Sequence, residues 1–349
     1  MAPTRNACFV FLKSIESAAG YPVNGKTFAY DDSPRIDLDK APLNGGALVK
    51  TLVLSIDPYM RGKMQAPDTK SYTDMYVAGQ PLSNFGVGVV LRSDSTKARK
   101  GDHLYGYFPF QEYSVQSKGD LDKLRVLKNK EGLPWSLYVG VLGMPGKTAV
   151  FGWKEFSKAE PGQTLFVTTG AGQVGSLVIQ LARRDGLKVI GSAGSADKVK
   201  FMKTLGASVA FNYKDSETKT KEVLDKHGPI DIYWDSVGGK MLDDALAAAS
   251  HHARFIECGM ISGYNGPGHP ITNIENVLTK SITMTGFIVM DLEKKYDEEF
   301  YDEMPRLIKA GKYEFLEDIR HGLEHVGDAI IAVQKGDNKG KSVIVLADQ

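Results

Sequence analysis

Cysteine is scarce in this sequence of 349 residues, which contains only Cys8 and Cys258. Two cysteines cannot build the disulfide framework of a small secreted protein, and they exclude a structural zinc site with four cysteine ligands. Their separation along the chain is also unlike the short spacing of metal-ligand pairs. We therefore expect both to be small, buried apolar residues.

An excess of charge of either sign is also missing. The chain has 43 Lys and Arg residues against 42 Asp and Glu residues, a formal net charge of +1. Because affinity for phosphate backbones requires a concentrated basic surface, and no block rich in Lys and Arg occurs, we predict no nucleic-acid partner. A hydrophobic content of 42% and a charged content of 24% are typical of a soluble globular protein.

Long apolar runs are absent as well. The run at residues 7–12 is too short for the core of a signal sequence and far too short to cross a membrane. We therefore expect a cytoplasmic protein without a membrane partner. No internal repeat or low-complexity segment interrupts the chain, whose length allows two domains with sizeable cores.

The most informative segment that is present covers residues 164–184. An apolar run leads into Gly170, Gly172 and Gly175, spaced G-x-G-x-x-G, and apolar residues then recur at helical spacing. This pattern predicts a strand, a tight turn and a helix whose free N–H groups face a pyrophosphate. Taken alone, the motif could equally be a glycine-rich loop of another α/β protein. The flanking predicted strands and helices favour a dinucleotide-binding turn.

The residues after this motif indicate which dinucleotide is bound. An acidic residue that would bind a free ribose 2′-hydroxyl, about 20 positions on, is missing. Small residues, including Ser192, end the next predicted strand, and Lys198 follows in the next predicted helix. Lysine attracts a 2′-phosphate that a carboxylate would repel, so we predict NADPH rather than NADH. Lys198 taken alone is more typical of an exposed helix surface.

The pattern of secondary structure divides the chain. Residues up to about 130 contain short β-rich runs separated by turns, which predicts an antiparallel all-β domain. From Gln163 onwards, a predicted strand with its exit turn at 188–195 and predicted strands at 209–212, 230–234 and 254–258 alternate with helices at 196–205, 221–227 and 241–249. Such alternation builds a parallel sheet. The tail is again β-rich, at residues 342–347.

Eight segments, in order along nearly the whole chain, carry a resemblance to a known family. They are residues 56–62, 143–146, 191–195, 212–214, 237–239, 258–262, 286–289 and 340–341. The chain resembles the zinc-free medium-chain dehydrogenase/reductases, in the branch of leukotriene and prostaglandin reductases and plant double-bond reductases (NADPH-dependent alkenal/one reductases).

The resemblance implies an α/β protein with two domains. Residues 1–135 and 309–349 would form a GroES-like, β-rich catalytic domain, and residues 136–308 a Rossmann domain with a doubly wound parallel sheet. A cleft between them, NADPH or NADP+ as cofactor, and a homodimer are further expectations. Relatives with a catalytic zinc need Cys, His and an acid as ligands, whereas none of the seven histidines here precedes a glutamate, so we predict no metal.

The resemblance also assigns roles to individual residues. Tyr264 is expected to be the catalytic hydrogen-bond donor and Tyr59 to line the substrate pocket. With fifteen tyrosines in the chain, surface or packing roles for both are the alternatives. The expected cofactor-binding residues are Gly172, Gln173, Val174, Gly175, Ser192, Lys198, Tyr213, Ser236, Cys258, Gly259, Met260, Ile261, Ser262, Tyr264, Phe287, Ile288, Val289 and Asn338.

Together these features predict reduction of the C=C bond of α,β-unsaturated aldehydes or ketones. Hydride from NADPH would reach the β-carbon, and the Tyr264 hydroxyl would stabilise the enolate. Two alternatives stay open: a zinc-free carbonyl or alcohol oxidoreductase, and a non-catalytic NADPH-binding regulatory protein. The sequence does not identify the particular enal or enone.

Overall fold

The structure, a computed structural model, describes residues 3–15 and 20–348. The chain divides into two compact units, unit 1 (1–140 and 317–349) and unit 2 (141–316). The domain boundaries predicted from the sequence lie slightly earlier, at 135/136 and 308/309. The difference has local causes. The Tyr138 hydroxyl donates to Oδ1 of Asn129 of unit 1 at 3.1 Å, and Glu314 exchanges two hydrogen bonds of 2.8 Å with Gln180 of unit 2.

Unit 1 is built mainly from β-strands. Its seven-stranded sheet has the order β16-β17-β5-β6-β7-β9, with β8 paired to β5, and two strand pairs, β1-β4 and β2-β3, lie outside it. The strands are β1 Thr4–Arg5, β2 Cys8–Phe11, β3 Phe28–Asp31, β4 Arg35–Ile36, β5 Ala47–Ser55, β6 Ser83–Ser93, β7 His103–Pro109, β8 Tyr113–Gln116, β9 Arg125–Val126, β16 Glu317–His321 and β17 Lys341–Val345. Its helices are α1 Lys118–Leu121, α9 Val326–Lys335 and the 3-10 helices Pro58–Met64, Trp135–Val139 and Leu323–His325.

The sheet of unit 1 joins the two ends of the sequence. Its ladders are antiparallel, as predicted, except for the parallel pair β16–β17. The tail strand β17 pairs with β5, so that Ile344 lies opposite Leu54. β5 is buried along almost its whole length because it lies at the centre of the sheet, which explains its nearly continuous apolar sequence.

Unit 2 contains a six-stranded sheet with the order β12-β11-β10-β13-β14-β15, in which every pair is parallel. The strands are β10 Thr164–Val167, β11 Lys188–Ala193, β12 Val209–Asn212, β13 Ile230–Asp235, β14 Ala249–Glu257 and β15 Thr283–Gly286. The helices are α2 Met144–Phe156, α3 Gln173–Arg184, α4 Ala196–Thr204, α5 Thr220–His227, α6 Gly239–Ala248, α7 Asn276–Thr279 and α8 Val289–Lys309, with a 3-10 helix at Ile261–Gly263.

This strand order confirms the predicted doubly wound sheet. The chain moves outward from β10 to β12 and then returns to the other side of β10 with β13, so the order reverses between β10 and β13. In open parallel sheets, ligands bind at the carboxyl ends of the strands at such a reversal. Stacked aromatic rings hold these strands in place: Phe166 lies 5.2 Å from Tyr233, measured between ring centroids.

The longest helix of unit 2, α8, has 21 residues and carries many charged side chains. Within the described ranges, no helix combines the length and the apolar character that crossing a lipid bilayer requires.

Candidate active site

The turn between β10 and α3 has the geometry that its glycines predicted. A Cβ atom on Gly175 would lie 2.5 Å from the carbonyl oxygen of Thr169, and one on Gly170 would lie 2.5 Å from the sulfur of Met202. Contacts this short do not occur for real Cβ atoms, and the first one involves the backbone, which cannot rotate away. The turn therefore requires glycine at position 175 if helix and strand are to pack this closely.

The amino-terminal end of α3 is suited to an anion. Gly172 is its N-cap residue and offers no side chain, and the N–H groups of Gln173, Val174 and Gly175 find no acceptor within residues 3–15 and 20–348. The buried side-chain Nε2 of Gln173 also lacks a hydrogen-bond partner in these ranges. These unpartnered donors, at the positive end of a helix dipole, fit the pyrophosphate of a dinucleotide.

The carboxyl ends of β11 and β12 bring together three of the predicted cofactor residues. Ser192 is buried, and its hydroxyl has no hydrogen-bond partner in the part of the chain that the structure describes. The hydroxyl of Tyr213 lies 3.3 Å from the position of a Cβ on Gly194, and the Ser195 side chain accepts a hydrogen bond from the N–H of Lys198 at the start of α4. A hydroxyl and a phenol near one strand end, with a lysine in the first turn of the next helix, fit a ribose phosphate.

The loops after β13 and β14 are hydrogen-bonded to each other. The N–H groups of Cys258 and Gly259 donate to the carbonyl oxygen of Asp235 at 2.8 and 3.1 Å. Further along, Ile261 donates to Ser236 at 3.3 Å and Ser262 to Val237 at 3.0 Å. The predicted residues 258–262 therefore form one wall with residues 236–237, although they are separated by a helix and a strand in the sequence.

Tyr264 follows this wall and bends back over it. Its N–H donates to Ile261 at 3.1 Å, and its hydroxyl lies 3.9 Å from the position of a Cβ on Gly259. Burial raises the pKa of the Tyr264 hydroxyl, and the charge of a Cys258 thiolate would raise it further, while the Met260 backbone acts in the opposite direction. The phenol is therefore a neutral donor at neutral pH, beside the strand ends.

A pair of buried carboxyl groups beneath this wall was not among the sequence predictions. Asp235 and Glu257 are opposite each other in the β13–β14 ladder. Oδ1 of Asp235 accepts from the N–H groups of Val237 and Gly238 at 2.7 and 2.8 Å, whereas its Oδ2 and both Glu257 oxygens are buried without a donor among the described residues. Since burial and mutual repulsion disfavour two adjacent carboxylates, one of the pair keeps its proton at neutral pH.

The pKa directions agree with this arrangement. Burial, followed by the charge of Asp235, raises the pKa of Glu257 to about 8, and burial raises the pKa of Asp235. Burial also raises the pKa of the Cys258 thiol to about 12, so this cysteine stays a thiol. In the sequence, Glu257 falls within the predicted strand 254–258. A glutamate among the mainly apolar residues of that strand was the only sign of the pair.

Residues 287–289, which were predicted to contact the cofactor, take part mainly in packing. The Phe287 ring packs edge-on against Trp234, with centroids 6.0 Å apart, and against Phe156 at 5.4 Å. Val289 is buried at the start of α8, and the carbonyl oxygen of Ile288 accepts from Asp291. The side chains of Phe287 and Val289 are thus used for packing. The predicted cofactor contacts of residues 287–289 stay a prediction, and their backbone would have to make them.

In unit 1, Tyr59 belongs to a network of polar side chains. Its hydroxyl donates to Oδ1 of the fully buried Asn84 and lies 2.8 Å from the Tyr107 hydroxyl. Asn84 donates at 2.8 Å to Asp57, which also receives a hydrogen bond from the buried Lys341 at 3.1 Å. Burial lowers the pKa of Lys341, and the Asp57 carboxylate opposes that effect. Sequence analysis selected only Tyr59 from this network.

Asn338 also lies in unit 1, where its side-chain Nδ2 donates to the carbonyl oxygen of Gly340 at 2.8 Å. This bond stabilises its own turn, so the predicted cofactor contact of Asn338 stays a prediction. Among the residues that the structure describes, no three His, Cys, Asp or Glu side chains form a group that could hold a metal ion.

Comparison with known proteins gives matches over both units. The family described as zinc-binding dehydrogenase matches residues 174–309, and that described as N-terminal domain of oxidoreductase matches residues 35–124. A zinc-type alcohol dehydrogenase-like protein of Schizosaccharomyces pombe is 36% identical over 348 residues, which cover 99% of each chain. The NADP(+)-dependent 2-alkenal reductase of Nicotiana tabacum is 40% identical over 304 residues, 86% of this chain and 87% of the relative.

The chain belongs to the medium-chain dehydrogenase/reductase family, in its double-bond reductase branch. The predicted family and fold class are thereby confirmed. Among solved structures, CurA of Vibrio vulnificus in complex with NADPH superimposes with a TM-score of 0.86 at 31% identity, over 98% of this chain and 99% of that one. For a member of this family, the unpartnered donors of α3, the buried Ser192 hydroxyl and the glycine turn fit a bound NADPH.

Proposed function

We propose that this protein reduces the C=C bond of α,β-unsaturated aldehydes and ketones with NADPH. The observation that carries the proposal is the neutral Tyr264 hydroxyl, which lies next to Gly259 at the strand ends of unit 2. The names of the relatives support it, since the tobacco protein is a 2-alkenal reductase and CurA was crystallised with NADPH.

When bound, NADPH supplies a hydride for the β-carbon of the activated alkene. Negative charge then develops on the carbonyl oxygen of the substrate, which becomes an enolate. The Tyr264 hydroxyl donates a hydrogen bond to that oxygen and stabilises the charge. Because burial raises the pKa of this phenol, it remains protonated and acts as a donor. Solvent or a relayed proton then supplies the hydrogen of the α-carbon.

Backbone groups provide most of the proposed cofactor site. The free N–H groups of Gln173, Val174 and Gly175 hold the pyrophosphate, and the wall of residues 236–237 and 258–262 holds the nicotinamide half. Lys198 and Tyr213 contact the 2′-phosphate.

The first test replaces Tyr264 by phenylalanine. Since one preorganised donor of this kind contributes about 2.7–4 kcal/mol to the transition state, Tyr264→Phe should lower kcat with an enone by about 100-fold or more. The dissociation constant of NADP+, measured by calorimetry, should stay nearly unchanged. Tyr213→Phe is the matched control: it should weaken NADP+ binding and leave kcat at saturating cofactor nearly unaltered. Normal turnover by Tyr264→Phe would remove this residue from the mechanism.

Product identification separates the proposal from its alternatives. Short alkenals, aromatic enals and cyclic enones are incubated with NADPH, and the products are analysed by mass spectrometry and NMR. A saturated carbonyl compound supports C=C reduction, whereas an unsaturated alcohol would indicate a carbonyl reductase. Saturable NADPH binding without consumption across the whole panel would indicate a non-catalytic NADPH-binding protein.

We also propose a homodimer in the cytoplasm, as the resemblance implies. Sedimentation equilibrium measures the mass directly. A mass equal to that of one chain at micromolar concentration would contradict the dimer.

A further inference from the structure

The polar network of unit 1 is a chain of hydrogen bonds that begins at a buried ion pair and ends at the surface. Lys341 and Asp57 are both almost fully buried, Asn84 is completely buried, and Tyr59 is half-buried. The last member, Tyr107, has 40% of its surface exposed. Tyr107 was not among the residues selected from the sequence.

The direction of each bond in this chain follows from the chemistry of its members. The side-chain nitrogen of Asn84 lies 2.9 Å from the carbonyl oxygen of Ser55 and 2.8 Å from a carboxylate oxygen of Asp57. Both of those groups can only accept, so the amide nitrogen must face them and Oδ1 must face Tyr59. Tyr59 therefore donates its proton to Asn84.

This direction leaves a single choice for Tyr107. Its hydroxyl lies 2.8 Å from that of Tyr59, and one of the two must donate to the other. Because the proton of Tyr59 is already used, Tyr107 donates to Tyr59. A phenol oxygen can also accept hydrogen bonds, so Tyr107 keeps its accepting capacity towards the outside of the network.

Protonation does not interfere with this arrangement. Burial raises the pKa of both Tyr59 and Tyr107 above the ordinary value of tyrosine, in the case of Tyr59 strongly. Both phenols therefore stay neutral across the usable pH range. Tyr59 is not available as a donor to substrate, and the group that faces outward is an acceptor.

Lys63 adds a positive charge next to this acceptor. Its ammonium lies 5.2 Å from the ring centroid of Tyr107 and 4.8 Å from that of Tyr76. Lys63 is almost fully buried, burial lowers its pKa, and Asp74 partly opposes that effect. Within the described part of the chain, this ammonium forms no hydrogen bond or ion pair, so its N–H donors are available to a bound group.

From this geometry we infer that Tyr107, with Lys63 behind it, forms a subsite for a hydroxyl group of the substrate. The inference rests on the proposed function, because it takes Tyr59 as part of the substrate pocket. A ligand hydroxyl donates to the Tyr107 oxygen, and the positive charge of Lys63 stabilises the partial negative charge on the oxygen of that ligand hydroxyl. The preferred substrates are enals and enones that carry an alcohol or a phenol in addition to the conjugated carbonyl group.

A hydroxyl fits this subsite better than other polar groups. An ether or a carbonyl has no proton to donate to Tyr107. A carboxylate would be attracted by the charge of Lys63, but its lone pairs would face those of the Tyr107 oxygen. It could accept from Tyr107 only if the Tyr107 hydroxyl stopped donating to Tyr59. A hydroxyl both donates and accepts, and therefore matches both groups.

The test measures binding of saturated ligands, so that it does not depend on turnover. The two matched pairs are 4-(4-hydroxyphenyl)butan-2-one with 4-phenylbutan-2-one, and 5-hydroxypentan-2-one with pentan-2-one. Dissociation constants are measured by calorimetry or ligand-observed NMR with NADP+ present. Since one neutral hydrogen bond contributes about 0.5–1.5 kcal/mol, the hydroxylated member of at least one pair should bind about three- to tenfold more tightly.

Tyr107→Phe should abolish that preference, because the phenyl ring keeps the shape and removes the acceptor. Tyr113→Phe is the matched control: Tyr113 is another half-buried tyrosine of unit 1, in β8, and its hydroxyl is not part of the network. This control should keep the full preference. Equal binding within both pairs by the unaltered protein, or an unchanged preference in Tyr107→Phe, would overturn the inference.

The same experiment distinguishes the subsite from the proposed function. A hydroxyl preference that depends on Tyr107 in a protein that reduces no enal would uphold the subsite and reject the reductase activity. Reduction of enals without any such preference would uphold the reductase activity and reject the subsite.

Discussion

The proposed cofactor site of unit 2 and the proposed substrate site of unit 1 are built from different parts of the polypeptide. The proposed cofactor site consists mainly of backbone: the free N–H groups at the start of α3, a turn that needs Gly175, and two loops hydrogen-bonded to each other. The proposed substrate site consists of side chains, from Lys341 through Asp57 and Asn84 to Tyr59 and Tyr107.

This difference determines how each site responds to substitution. A backbone site tolerates many side chains and fails where a new Cβ collides with the main chain. A side-chain network contains polar groups that each need a partner, so loss of one member leaves another buried and unsatisfied. Unit 1 should therefore lose stability together with function, whereas unit 2 should mainly lose cofactor affinity.

The largest effect is expected from Lys341→Met in unit 1. Removing the ammonium leaves the buried Asp57 carboxylate without its countercharge, which typically costs about 3–5 kcal/mol of unfolding free energy. Urea denaturation of the variant and the unaltered protein measures this loss. The double variant Lys341→Met/Asp57→Asn should recover part of the stability because the unpaired charge is gone. Equal stability of the single and the double variant would contradict the role of the ion pair.

A smaller effect is expected from Gly175→Ala in unit 2. The new Cβ would lie 2.5 Å from the Thr169 carbonyl oxygen, so the turn must shift, and overpacking of this kind costs about 1–3 kcal/mol. We expect NADP+ affinity, measured by calorimetry, to fall by about tenfold or more. Gly268→Ala is the control, since nothing lies within 4 Å of its Cβ position. If Gly175→Ala binds NADP+ as tightly as that control, the backbone account of the cofactor site is wrong.

The acid pair of unit 2 predicts an effect that depends on pH. The pKa of Glu257 is raised from 4.5 to about 8 in the folded protein, so between these values the folded state keeps a proton that the unfolded state releases. Glu257 therefore lowers stability progressively as pH rises through that window. Glutamine resembles the protonated acid at every pH and can still donate to Asp235.

Thermal melts should therefore show a growing advantage for Glu257→Gln as pH rises. The variant and the unaltered protein should melt at similar temperatures near about pH 5 and differ by about 2–4 °C or more near about pH 8.5. Glu303→Gln, which removes an exposed carboxyl group from α8, serves as the control and should show no such trend. A difference that does not vary with pH would show that the pair does not share a proton.

The smallest effect is expected from Lys198→Ala, which tests a side-chain contribution to the proposed cofactor site. Loss of one charged hydrogen bond to the 2′-phosphate should weaken NADPH binding by about tenfold and leave NADH binding unchanged. Lys200→Ala, at an exposed position two residues further along α4, is the control. If the two variants lose NADPH affinity equally, Lys198 acts only through the general positive potential.

The sequence alone predicted most of unit 2. The G-x-G-x-x-G turn, β12 at Val209–Asn212 and the alternation of strands and helices follow from local rules of periodicity and turn chemistry. One element was misjudged: β14 begins at Ala249, five residues before the predicted strand, because it continues directly from the end of α6. No local pattern marks that junction.

The sequence by itself determined the parallel sheet, the glycine turn and the family, because each of these is encoded within short stretches of chain. Only the tertiary structure decided that Glu257 faces Asp235 and that Tyr107 completes the chain from Lys341. Strand register creates both contacts. In the ladder of β13 and β14, Glu257 lies opposite Asp235. In the ladder of β6 and β7, Tyr107 lies opposite Phe85, which is the neighbour of Asn84 in the sequence. Hydrogen bonding between distant strands sets that register, and no single stretch of the sequence contains it.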